Sequence, residues 1–326
     1  MNTLVDKFGR EIRYLRISVT DRCDLRCVYC MSEKMTFLPK SDLLTLEELA
    51  KVAHTFIDFG VEKIRISGGE PLVRKDIMEL FTDISPRLGR GLAELTLTTN
   101  GTQLNKYADR LAALGVKRIN LSLDSLNPQT FTKLARRNVL PQVLSGIQAA
   151  KEAGIHIKLN TVLLPENIDE IAHMMRWAHG QGFDMSLIEI MPMGLTDARR
   201  VDQFVPMSRA KDLLSEHFTL EPLITSARLS GPARYNYIPQ TQGKLGFISP
   251  LTNNFCAGCN RVRLTCTGRI YMCLGQEDHI DLRQTLRSGG RIEDDITRAV
   301  SRKPEAHDFS ISETPSLSRH MSVTGG

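Results

Sequence analysis

Three cysteines, Cys23, Cys27 and Cys30, stand in the spacing Cys-x3-Cys-x2-Cys directly after the apolar run Tyr14 to Val19, which reads as a strand entering a loop. Three thiolates on one short loop suit an iron–sulfur cluster of four irons that leaves one iron without a protein ligand. Such an iron can coordinate a small molecule and react with it. A structural zinc site usually takes four ligands in two separated pairs, and no histidine accompanies these cysteines. A disulfide framework suits a small secreted scaffold, whereas this chain has 326 residues and seven cysteines.

Towards the other end, Cys256 and Cys259 form Cys-x2-Cys, and Cys266 and Cys273 follow. On spacing alone, four cysteines fit a structural zinc or a closed cluster.

Both groups need a scaffold. Strands are predicted at Tyr14–Val19, Lys63–Ser67, Glu94–Thr99, Lys117–Asp124, Ile155–Leu163 and Asp184–Ile190, with helical patterns between them. Thr45 followed by Glu48 predicts a capping box for a helix reaching Phe59, and Gly60, Gly115, Gly154 and Gly182 fall where helix ends need glycine. This is repeated βα architecture with a parallel sheet.

The strands are polar on one face. Arg16 and Ser18, Lys63 and Arg65, Thr96 and Thr98, Asn120 and Ser122, and His156, Lys158 and Asn160 alternate with Leu, Ile and Val. A parallel sheet covered by helices on both faces reads as nearly continuous Val, Ile and Leu. The pattern therefore predicts an α/β fold in which a curved sheet has its helices outside and a polar interior, an incomplete (βα)6 TIM-like barrel with its site at the C-terminal strand ends. Arg16, Lys63, Arg65 and Lys158 make that interior positive. Ser67-Gly68-Gly69-Glu70-Pro71 predicts a close backbone approach or sharp turn after the second strand, before a helix near Arg74.

Cys23-x3-Cys27-x2-Cys30, with Tyr29 before the last cysteine, resembles the loop of radical S-adenosylmethionine (SAM) enzymes. The resemblance implies a first 4Fe-4S cluster on these three cysteines, SAM on its open iron, and a glycine-rich SAM site at Gly69. Ser122, Met191 and Tyr29 fall where further SAM contacts are expected. Cys256-Ala-Gly-Cys259-Asn-Arg261-Val-Arg263, leading to Tyr271-Met-Cys273, looks like the C-terminal signature of the GTP 3′,8-cyclases of molybdenum cofactor biosynthesis. That resemblance spans the chain through Thr98-Thr99-Asn100-Gly101, Asn120-Leu-Ser122-Leu-Asp124, Lys158-Leu-Asn160 and Ile188-Glu189-Ile-Met191-Pro192 to Gly325-Gly326.

It implies a second 4Fe-4S cluster on Cys256, Cys259 and Cys273, with Cys266 a bystander. It also implies GTP contacts by Arg16, Arg65, Thr98, Lys158, Arg261 and Arg263, the last two also catalytic along with the first cysteine triad. Arginine suits a triphosphate because it gives bidentate phosphate contacts. Family members often carry arginine at the position of Ser186. The partners implied are a one-electron reductant such as a flavodoxin or ferredoxin, a downstream cyclic pyranopterin monophosphate synthase, and a second copy of the chain in a homodimer.

Composition narrows the alternatives. The formal charge of +5, from 42 basic and 37 acidic side chains, is too mild to predict nucleic-acid binding, and aromatics are only 6% of the chain, against a zinc-stabilised nucleic-acid module. A peptide-modifying radical SAM maturase, the nearer alternative, has no evident use for Arg261 and Arg263 beside the second cysteines. Met1 to Arg13 lacks the apolar core of a secretory signal, and no stretch approaches eighteen apolar residues, so neither membrane nor export is expected and the cytoplasm is. The expected division is residues 1–225 for the barrel and 226–326 for the region with the second site and the Gly-Gly tail. Ser301 to Gly326, rich in Ser, Pro and charge, reads by composition as disordered, while the resemblance implies that its Gly-Gly end enters the active site.

Overall fold

The computed structural model describes residues 3–194, 196–224, 231–252, 255–311, 317 and 319–325. Gly326 and the expected division at 225/226 lie outside them. Six strands, β1 (Tyr14–Ser18), β2 (Lys63–Ser67), β3 (Glu94–Thr99), β4 (Arg118–Ser122), β5 (His156–Val162) and β6 (Asp184–Ile188), run parallel and adjacent in chain order, with helices between them. This is the incomplete (βα)6 barrel.

Six further strands lengthen the sheet: β7 (Glu221–Leu223), β8 (Arg234–Ile238), β9 (Gly243–Ile248), β10 (Arg261–Leu264), β11 (Arg269–Tyr271) and β12 (His279–Asp281). Among the described residues, one sheet runs β12-β11-β10-β1-β2-β3-β4-β5-β6-β9-β8-β7. β10 pairs parallel with β1 and β9 parallel with β6, so the second cysteine region is stitched directly onto the strand that feeds the first.

The helices form for local reasons and pack for a shared one. In the helix Leu46–Asp58, Thr45 Oγ1 accepts from Glu48 N at 3.1 Å and Glu48 Oε2 accepts from Thr45 N at 2.8 Å. That reciprocal cap satisfies two otherwise orphaned amides and contributes about 1 kcal/mol. Leu49, Val52, Ala53, Phe56 and Ile57 of the same helix are buried, as are Leu15, Ile17, Ile64 and Ile66 of β1 and β2. Each such aliphatic side chain contributes about 1.5–3 kcal/mol by leaving water. Gly60, Gly115, Gly154 and Gly182 take φ between 74° and 89° behind their helices, the conformation that terminates them.

The opposite strand face is the polar one. Register aligns Arg263 of β10, Arg16 of β1 and Arg65 of β2 side by side, and Thr98, Asn120 and Lys158 likewise across β3 to β5.

Three expectations change. The helix foreseen near Arg74 begins at Ile77: Pro71–Val73 form a 3₁₀ turn whose Leu72 N donates to Glu70 Oε1 at 3.0 Å, and Asp76 is left-handed with φ 57°. His156, assigned to the lumen, is exposed at the first position of β5, where Nε2 lies 3.3 Å from Asp184 Oδ2. In the described part of the tail, Lys303, Arg319, Ser322 and Thr324 are buried, the last two on a short helical turn, Met321–Thr324, while Ser301, Arg302, Glu305, Asp308 and Ser310 are exposed.

Candidate active site

Cys23, Cys27 and Cys30 share one wall of a cavity of about 170 Å³, which Gly69, Ser122 and Met191 also border. The loop carrying them is closed by Cys30 N and Met31 N donating to Cys27 O at 2.9 and 3.2 Å. Cys23 Sγ accepts from Leu25 N at 3.4 Å and Asn100 Nδ2 at 3.8 Å. Burial pushes all three thiols up, Cys30 to about 11 despite the Arg200 guanidinium beside it. Sulfurs so placed gain little from ionising alone; iron, which replaces their protons with positive charge, reverses that balance. No other cysteine borders this cavity among the described residues, so the donor set fits a cluster with one free iron.

The glycine run lies flat on the chain entering that loop. Gly69 N donates to Thr20 O and Glu70 N to Arg22 O, each at 2.8 Å. A Cβ on Gly69 would lie 2.4 Å from Arg22 O, and one on Gly68 would lie 2.5 Å from Thr20 O. Glu70, fully buried, fixes the far side, accepting from Thr99 Oγ1 at 2.9 Å and Asn100 N at 2.7 Å. Burial lifts its carboxyl to about 8. Tyr29 OH donates to Asp124 Oδ2 at 2.7 Å, and burial raises Asp124 to about 6.

A second cavity, of about 160 Å³, fills the lumen and meets the first at Thr98, Asn160, Ile188 and Met191. Among the described residues, Arg16, Lys63, Arg65, Arg118, Lys158, Arg261 and Arg263 line it and no carboxylate does. Glu94, just below, ties Lys63 Nζ and Arg118 Nη2 at 2.7 Å each. Lys158 has no ion pair among the described residues; burial, then repulsion from Arg65 and Arg118, lowers it to about 7. At the floor, burial raises the Tyr14 hydroxyl, yet Arg16, Arg65, Lys63 and Arg261 together bring it down to about 7. Arg16 Nε donates to that hydroxyl at 3.1 Å. Thr98 Oγ1, Asn120 Oδ1, Asn160 Oδ1 and Arg65 Nε are buried without hydrogen-bond partners among the described residues, as in a site built for a polar, anionic ligand.

Cys256, Cys259 and Cys273 border the lumen cavity. Burial raises Cys256 and Cys273; for Cys259 burial is outweighed by Arg261 and Lys303, which bring it to about 6. Cys266 does not border the cavity. It faces Ser18 and Asp21, and burial pushes it to about 12. The remaining three donors fit a second cluster by the same reasoning as the first.

The tail joins the two cysteine sites. Arg319 stacks 3.8 Å from the Tyr271 ring centre and donates to Leu274 O at 2.7 Å, beside Cys273. Met321 and Ser322 border the same cavity as Cys30, and Arg263 Nη1 donates to Gly325 O. The structure thus brings together every sequence-predicted site residue around two adjoining cavities, though Arg263 spends a donor on the tail. Ser186 is buried on β6 and pairs with Gly246 of β9, where an added Cβ would lie 2.6 Å from Ser186 Oγ.

Sequence reading missed Arg118 as a lumen cation, although it shares the parity of Asn120. It also missed Phe255, His307 and Phe309, whose rings follow one another at 6.3 and 4.8 Å on the cavity wall, because no local pattern marks them.

Residues 17–178 match the Radical SAM superfamily, and residues 183–309 match Molybdenum Cofactor Synthesis C. A curated GTP 3′,8-cyclase of Brucella canis is 55% identical, over 99% of this chain and 96% of its own length. The chain belongs to the GTP 3′,8-cyclase family. A second member, from Bradyrhizobium diazoefficiens, is 54% identical over 100% of this chain and 96% of its own. Radical SAM membership brings SAM and an iron–sulfur cluster with it. Among solved structures, Streptococcus suis SuiB bound to S-adenosylmethionine matches with TM-score 0.66 at 15% identity, covering 97% of this chain and 79% of that one. SuiB bound to its precursor peptide SuiA matches with TM-score 0.65 at 16% identity, covering 97% and 77%. At those identities the likeness is of the fold alone. Among the described residues, no helix is long and apolar enough to cross a membrane.

Proposed function

We propose that this chain converts GTP to 3′,8-cyclo-7,8-dihydro-GTP, an early step of molybdenum cofactor biosynthesis. One observation carries the reading: two cysteine-lined cavities meet at a common wall of Thr98, Asn160, Ile188 and Met191, and the farther one holds seven cations. A nucleoside triphosphate matches that charge.

In this reading Cys23, Cys27 and Cys30 hold a first 4Fe-4S cluster and Cys256, Cys259 and Cys273 a second, with Cys266 uninvolved. Gly69, Ser122, Met191 and Tyr29 border SAM. Cys23, Cys27 and Cys30 would hold the group whose one-electron reduction of SAM makes hydrogen abstraction from ribose C3′ of GTP possible; joining C3′ to guanine C8 would then need a second electron and a proton to give the closed-shell dihydro product. The chain's own task is alignment. Arg16, Arg65 and Lys158 anchor the triphosphate, with Lys63 and Arg118 as further cations, the latter standing in for the arginine that Ser186 replaces. Thr98 lies on the wall between the cavities, where the ribose must sit for C3′ to face SAM. Arg261 reaches from beside Cys259 towards the base, and Arg263 holds the tail across the opening, which keeps water from the radical.

Residues 1–225 supply the SAM half and 226–326 the second cysteine site and tail. The enzyme works in the cytoplasm as a homodimer, takes its electron from a flavodoxin or ferredoxin, and passes product to a cyclic pyranopterin monophosphate synthase. The test is anaerobic incubation of iron-reconstituted, reduced protein with SAM and GTP, which should give 5′-deoxyadenosine and the cyclised nucleotide. Formation of 5′-deoxyadenosine with a peptide but not with GTP would refute the assignment.

A further inference from the structure

Lys303 lies just beyond the helix Ile292–Ser301, at the root of the tail, and is 2% exposed. Its Nζ donates to Arg261 O at 2.9 Å and Met272 O at 2.6 Å and reaches Cys259 Sγ at 3.6 Å. An ammonium has three N–H groups, and these partners use all of them. Two of the partners flank cysteines: Arg261 is two residues past Cys259 on β10, and Met272 immediately precedes Cys273 after β11. A single buried cation therefore ties the arm bearing Cys259 to the arm bearing Cys273. Arg10 completes the frame, donating to Cys256 O at 2.9 Å and to Pro304 O at 2.5 Å, the residue after Lys303.

We propose that Lys303 is a positioning residue of the second cysteine triad. It fixes the separation of Cys259 and Cys273, and its ammonium, held against Cys259 Sγ, favours the reduced state of the group they hold. The inference rests on the reading that this triad carries a 4Fe-4S cluster. Hydrogen bonds to ligand sulfurs and the net charge around a cluster tune its reduction potential, and an unscreened ammonium within hydrogen-bond reach of a ligand acts strongly because little water intervenes.

The test compares Lys303→Gln and Lys303→Arg with the unsubstituted full-length chain, each reconstituted anaerobically, by iron content and by EPR-monitored redox titration of the second site. That site's signal is identified in a chain with Cys23, Cys27 and Cys30 replaced by alanine. The expected result is a midpoint for Lys303→Gln shifted to more negative potential, with Lys303→Arg close to the unsubstituted protein. Loss of about four irons in Lys303→Gln with retention in Lys303→Arg supports the same role. An unchanged midpoint in iron-loaded Lys303→Gln overturns the proposal, as does equal iron loss in both variants. Absence of iron from the second triad of the unsubstituted chain instead overturns the cluster reading, and this inference with it.

Discussion

Arg263 Nη1 donates to the backbone carbonyl of Gly325, 62 residues further along the chain. The guanidinium is half-buried, and desolvation, then the nearness of Arg16 and Arg261, holds its pKa well below the usual arginine range. A carbonyl dipole offsets part of that cost, so the cationic lumen itself gives the tail a place to dock. Gly325 takes φ 75°, and a Cβ there would lie 2.0 Å from Ser67 Oγ. Gly325→Ala should therefore expel the tail and lower kcat/KM for GTP by about a hundredfold while leaving SAM binding within a few fold. Steady-state kinetics with isothermal titration of SAM checks this; unaltered kinetics would contradict it.

Lys158 gives a pH dependence with a defined sign. Its pKa falls from the ordinary 10.5 to about 7 through burial and then repulsion from Arg65 and Arg118. Above that value the free enzyme loses one phosphate-binding charge, so KM for GTP should rise between pH 7 and 9, by at most about tenfold per unit. Lys158→Arg, charged throughout, should flatten the profile. The unfolded chain holds this proton up to its normal pKa, so the same group makes the ligand-free protein more stable as pH rises from about 7 towards 10. A flat KM profile in the unsubstituted enzyme would contradict the account.

Gly69→Ala tests the backbone approach beside the cysteine loop. The added methyl would meet Arg22 O and C at 2.4 and 2.7 Å, backbone atoms that cannot swing aside. Displacing them disturbs the start of the loop that bears Cys23, and the expected cost is about 1–3 kcal/mol of stability with SAM binding weakened more than tenfold. Thermal unfolding and SAM titration measure the two effects.

Cys266→Ser should retain the full iron content, because this thiol faces Ser18 and Asp21 and lies off the cavity lined by Cys256, Cys259 and Cys273. Loss of about four irons would make it a ligand.

The barrel was legible because its signal is local. Arg16, Arg65 and Lys158 alternate with Leu, Ile and Val within five to seven residues, and strand geometry converts that alternation into a lumen. Thr45 and Glu48 marked their helix start for the same reason. The second region was legible only through its resemblance, since Cys256 and Cys273 are separated by a hairpin whose pairing β10 to β1 no short pattern encodes. Composition says nothing of where the described end of the tail goes: Arg319 donates to Leu274 O and Ser322 O accepts from Ser18 Oγ, long-range partners that no local pattern marks. Lys303 was invisible for a related reason, as a lone lysine in a charged stretch signals nothing until Arg261, Met272 and Cys259 close around it.

The most direct measurement is iron and sulfide content with EPR on anaerobically reconstituted protein, for the unsubstituted chain and for two triple variants, Cys23/Cys27/Cys30→Ala and Cys256/Cys259/Cys273→Ala. Two adjoining open clusters require about eight irons in the first and about four in each variant, with distinct EPR signals that sum to the parent spectrum. A colourless protein, or one in which either triple substitution leaves the iron content unchanged, would contradict the account.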